Sequence, residues 1–111
     1  MGKDDFYYLQ KTLEETRFII SYSKGISIEQ LESDQKTLDA IIFRMIQMSE
    51  HMDKISEDFK KNQPSIKWVN IKGFRNRLVH DYGSVDLRFV FTAINKDIPK
   101  LQKELLKILD I

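Results

Sequence analysis

With 111 residues, 18 basic and 17 acidic side chains, a formal charge of +1 and no cysteine, the chain excludes several classes at once. A single domain of this length buries roughly two-thirds of the surface its unfolded chain exposes, enough for a true core. The balanced charge announces no nucleic-acid or membrane partner, so an anionic ligand has to be met by a local cluster; disulfide frameworks and thiolate metal sites are excluded.

The first residues, "MGKDDFYYLQ", suit neither a signal peptide nor a myristoylation site. Asp4 and Asp5 spoil the first, and Phe6 stands where the second needs Ser or Thr. No apolar run approaches the length of a bilayer span. The expectation is a soluble, cytoplasmic protein without membrane association.

Helical periodicity dominates and no alternating strand stands out. A first helix over about residues 4–23 sets Phe6, Leu9, Leu13 and Ile20 near one face, and Gly25 ends it. Tyr7, Tyr8 and Tyr22 fall at its core edge, where they could also line an interface. "SIEQ" from Ser27 is a capping-box start for a short helix. A long helix beginning near Asp34 carries Leu38, Ile41, Met45, Met48, Met52, Ile55 and Phe59, alternating steps of three and four that define a bundle seam. The methionines on it read as core filling. His51, between Glu50 and Met52 and near Asp53, reads as a solvated helix residue.

"KKNQPS" at 60–65 breaks the seam, and a third helix from about Ser65 turns Trp68, Ile71, Phe74 and Leu78 inward. After Gly83 a fourth helix carries Leu87, Val90, Phe91 and Ile94. Its seam continues through Ile98, Leu101, Leu105 and Ile108. Pro99 lacks an N–H and Asp97 could cap, which predicts a new helix or a kink there. Short connections favour antiparallel neighbours. The fold class expected is all-α, an up-and-down four-helix bundle with an additional short helix, in one domain over 1–111.

The third helix holds an anomaly, "GFRNRLVHDYGS" at 73–84. On a wheel of 100° per residue centred on Ile71, Leu78 lies about 20° to one side, Trp68 about 60° to the other, and Arg75 about 40°, within the apolar stripe. A guanidinium there must snorkel, find a partner, or face a cavity or another subunit. On a continuous helix His80 would stand about 140° from Arg75. If the helix ends just before His80, the loop with Gly83 could fold the imidazole back. Asn76 is four residues before His80, close enough to neighbour it. These features also suit a plain helix end, with basic groups facing the macrodipole and Asp81 pairing with Arg77. No acidic–histidine spacing suggests a metal, and no phosphate loop or nucleophile elbow is present.

The block "WVNIKGFRNRLVHDYGSVDLRFVFTAINKDIPKL" at 68–101 resembles the HEPN superfamily, and within it the HepT-like toxins. Arg75, Asn76 and His80, with four residues between the Arg and the His, match the family motif, and Tyr82 matches a tyrosine two positions beyond the His. Gly83 follows Tyr82 directly, where many relatives place an aromatic first.

The resemblance implies a metal-independent endoribonuclease, with no cofactor expected. It would be the toxin of a pair whose antitoxin is an MNT-type nucleotidyltransferase. It casts Arg75, Asn76 and His80 as catalytic residues and Tyr82 as the acceptor of AMP from the antitoxin. The chemistry agrees: histidine titrates near neutrality and can act as acid or base, and arginine can stabilise charge on a phosphorane. Because the reaction wants an acid and a base and one chain offers one well-placed histidine, a homodimer is expected to supply the second. A non-catalytic HEPN subunit that binds a nucleotidyltransferase, or a helical interaction module, would fit the same residues.

Overall fold

The computed structural model describes the backbone of residues 3–80 and 86–111, with side chains from 4 to 79 and from 86 on. Helix α1 (Lys3–Ser23) is followed by short α2 (Ile28–Ser33), long α3 (Gln35–Asp53), short α4 (Glu57–Lys61), α5 (Val69–His80), α6 (Leu87–Thr92) and α7 (Ile98–Leu109). A π-helical turn at Ala93–Asp97 joins α6 to α7. The chain is an all-α bundle of four main helices: α1, α3, α5 and the α6–α7 rod.

Contacts between α1 and α3 fix their direction. Asp5 reaches Ser56, Tyr8 lies on His51 and Glu15 meets Arg44, so rising numbers on α1 meet falling numbers on α3. The pair is antiparallel, as short connections require. Its seam is dry: Leu9, Leu13 and Ile19 of α1 meet Ile41, Met45, Met48 and Met52 of α3, all essentially inaccessible. The methionines are core residues. Ile19, rather than Ile20, is the deeper position, and Phe6 points out with 46% of its surface exposed.

Small polar residues are also buried in these helices. Thr12, Thr16, Ser23 and Ser49 are buried, yet each hydroxyl donates to a carbonyl three or four residues earlier in its own helix. None of these four hydroxyl donors is thereby orphaned.

Three boundaries differ from the sequence expectation. The long seam does not run on as one helix to Phe59: α3 stops at Asp53, and α4 starts after Ser56. The buried Asp5 carboxylate accepts hydrogen bonds from the Ser56 N–H (2.8 Å) and hydroxyl (2.7 Å), and so pins the turn. Ile55 remains in the core, carried there by the turn. The third helix begins at Val69 instead of Ser65, because the Trp68 indole donates to the Gln63 carbonyl and the Trp68 N–H to that of Ile66, which holds the preceding chain in a turn.

A new helix, α7, starts at Ile98 with Pro99 in its first turn, as expected, but it is joined to α6 by a π-helical turn and not by a cap. Asp97 has helical dihedrals and makes no side-chain cap. Proline cannot donate to the Asn95 carbonyl, and the ladder widens instead, with the Ile98 N–H reaching Ala93 five residues back. The wide turn keeps Ala93, Ile94 and Ile98 all buried on one side.

Candidate active site

α5 lies shallowly on the bundle. Of its inward residues, Leu78 is buried, whereas Ile71 and Phe74 are only partly covered. Grooves therefore open on both of its flanks. One, of about 270 Å³, lies towards α7 and is mostly apolar, with Met48, Phe74, Ile98 and Leu101 among its walls. The other, of about 260 Å³, lies towards α3 and carries Glu50, Asp53, Lys54, Lys72 and Arg75 over a floor that includes Ser49 and Ile71.

Arg75 stands in this second groove. Its Nη2 lies 3.4 Å from Glu50 of α3, and both side chains keep 41% of their surface. The Nε atom is buried without a hydrogen-bond partner. The cation on the apolar stripe is thus partly paired and faces a cleft, two of the outcomes its position allows. At 3.4 Å the pair is loose, and a phosphate could compete for the guanidinium fork. Asn76, the next residue, is exposed.

The α5 backbone stays helical through His80, so the helix does not end early. The His80 side chain, Asp81, Tyr82 and Gly83 lie outside the described residues. Arg77 pairs with Asp86 at 3.0 Å and covers the Phe89 ring at 4.2 Å; the pairing with Asp81 lies outside the described residues. Asp86 also caps α6 through the N–H groups of Arg88 and Phe89, so Arg77 joins α5 to α6 as a structural contact.

His51 is not a solvated residue. It is half-buried, stacks on Tyr8 with ring centroids 6.3 Å apart, and its Nδ1 is buried without a partner. Burial pushes its pKa below the ordinary imidazole value, aided by Lys54 and Lys11 and opposed by Glu15 and Glu50. The imidazole is therefore largely neutral near neutrality. Among the described residues, no three histidine or acidic side chains gather as a metal-binding group. No helix among them is long and apolar enough to cross a membrane.

Sequence reasoning missed Glu50, Lys54 and Lys72 as neighbours of Arg75. Glu50 and Lys54 are four apart and share a face of α3. Only the docking of α5 reveals that this face borders a cleft.

A family profile described as "Ribonuclease HepT-like" matches residues 12–108. A protein of Caldanaerobacter subterraneus subsp. tengcongensis named "Putative RNase" is 31% identical over 102 residues, 92% of this chain and 91% of its own length. The "Probable ribonuclease HepT" of Thermococcus cleftensis is 31% identical over 101 residues, covering 91% of this chain and 92% of its own. A "Gamma-glutamylcyclotransferase and putative RNase" of Methanocaldococcus jannaschii is 31% identical over 110 residues, and this chain spans 50% of that longer protein. No solved structure matches.

Proposed function

We propose that this chain, which belongs to the ribonuclease HepT-like family, is a metal-independent endoribonuclease and the toxin of a cytoplasmic toxin–antitoxin pair. The observation that carries the reading is Arg75: a cation on an otherwise apolar helix face, loosely held by Glu50 and open to a cleft large enough for a phosphodiester. Asn76 and His80 follow it on the same end of α5.

In this reading a ribose 2′-oxygen attacks the adjacent phosphorus. The 2′-O–P bond forms, the P–O5′ bond breaks, and a cyclic phosphate and a 5′-hydroxyl result. His80 handles the proton on one side of this exchange. Arg75 stabilises the charge that grows on the phosphorane, and Asn76 orients the imidazole or the phosphate. DNA is rejected because it lacks the nucleophile. The reaction wants both an acid and a base, and a two-fold dimer with both motifs at its interface supplies a second His80.

The antitoxin in this reading is an MNT-type nucleotidyltransferase that transfers AMP to the Tyr82 hydroxyl. The added phosphate repels the RNA backbone and can itself capture the guanidinium. The test is expression in cells with and without that partner. Wild type alone should arrest growth and His80→Ala should not. With the partner, growth should recover and the intact mass should rise by one or more adenylyl groups, a gain that Tyr82→Phe abolishes. Arrest by His80→Ala equal to that of wild type would point to a helical interaction module, and absence of arrest by wild type to a non-catalytic subunit.

A further inference from the structure

We infer that a single-stranded RNA leaves the Arg75 groove across the C-terminal end of α3 and stacks a base on Tyr7 of α1, a substrate track that rests on the ribonuclease reading above. The track is continuous in the structure. Lys54, Lys72 and Arg75 line the same groove between α3 and α5. Lys54 is the C-cap residue of α3, and its ammonium also sits 5.7 Å from the ring of Tyr8 on α1. It therefore bridges the groove and the first helix. Tyr8 is held from beneath by His51 and meets Tyr7 edge-on at 5.2 Å. The ammonium of Lys11 lies 5.7 Å from the Tyr7 ring.

Tyr7 has 53% of its surface exposed although it is part of this cluster. A flat, amphipathic ring set edge-on to Tyr8 and beside Lys11 suits an unpaired base and its phosphates. Such sites bind single strands by stacking, which any base can supply, and by cations that follow the backbone. Three carboxylates lie along the same path: Glu50 on Arg75, Asp53 in the groove, and Glu14 at 3.8 Å from Lys11. They keep the patch near neutral overall, so stacking carries a larger part of the affinity than charge does. A duplex, whose bases are already stacked, gains little here.

The experiment uses the full-length His80→Ala protein, which keeps RNA intact, and a fluorescein-labelled single-stranded RNA of mixed sequence, read by anisotropy. Tyr7→Ala should weaken binding about tenfold, within the range for loss of one base stack. Lys54→Ala with Lys72→Ala should flatten the slope of log affinity against log salt by about 1.4, two single-strand phosphate contacts. Phe43→Ala, an exposed aromatic nearer the other end of α3, should bind as its parent does. The same RNA annealed to its complement should bind more weakly and be indifferent to Tyr7→Ala. If wild type cuts RNA but Tyr7→Ala binds like its parent, or Phe43→Ala loses as much, the track is wrong and the ribonuclease reading stands. A change of oligomeric mass in Tyr7→Ala with RNA affinity intact would make Tyr7 a contact between chains and overturn the track. If the parent binds no RNA and wild type cuts none, both readings fall.

Discussion

Arg75 sits on the apolar stripe of α5 because its partner belongs to another helix. The wheel position was legible in the sequence, since three apolar neighbours define the stripe. Its pairing with Glu50 was not, because residues 25 apart meet only when α3 and α5 dock. His51 was misread for the same reason. Flanking acidic residues suggest solvent, yet the packing of α1 turns the imidazole against Tyr8. The consequence is a pH dependence with a definite sign. A histidine whose folded pKa is depressed binds its proton less readily in the native state than in the unfolded one. Its stabilising contribution is therefore complete above about pH 6.5 and is lost as pH falls below that value. The urea midpoint of wild type should fall between about pH 7 and pH 5, and that of His51→Leu should fall less. Equal falls would mean that His51 is as well solvated folded as unfolded.

Elements whose ends are set locally were legible, and those set by distant residues were not. The capping box at Ser27 is complete, with Gln30 N–H donating to Ser27 Oγ at 3.1 Å and the Ser27 N–H to Gln30 Oε1 at 2.8 Å. Both partners lie within one turn, so four letters suffice. The break between α3 and α4 depends on Asp5, 51 positions earlier, and periodicity alone carried the seam straight through it. The new helix at Pro99 was legible from the missing N–H, but the expected Asp97 cap was not formed, because a wider turn keeps Ala93, Ile94 and Ile98 in the core. Asp5→Ala should leave the Ser56 donors without their acceptor and cost about 1–3 kcal/mol in denaturant unfolding. Amide exchange should quicken in α4 while α3 stays protected. Asp5→Asn, which keeps one acceptor, should recover part of the loss. An unchanged midpoint in Asp5→Ala would show that the turn is held by the burial of Ile55 alone.

At the scale of the molecule, the bundle was legible because four seams joined by short connections leave few arrangements. The groove was hidden by composition: a charge of +1 announces no cluster, and only the fold gathers Lys54, Lys72 and Arg75, beside Glu50 and Asp53, into one cleft. The proposed dimer makes a further demand. Wild type re-equilibrated with an excess of His80→Ala chains should lose most of its activity to mixed dimers, whereas independent monomers would keep it. The most direct measurement is the initial rate at which purified wild type, Arg75→Ala and His80→Ala cut single-stranded RNA in EDTA. Wild type should cut. His80→Ala should be slower by about 10²–10⁴-fold, the usual contribution of a general acid or base. Arg75→Ala should lose about 10²–10³-fold, as when one charge-stabilising donor is removed, and both should keep the helical circular dichroism of wild type. Cleavage that survives both substitutions, or that stops in EDTA and returns only with a divalent cation, would contradict the mechanism.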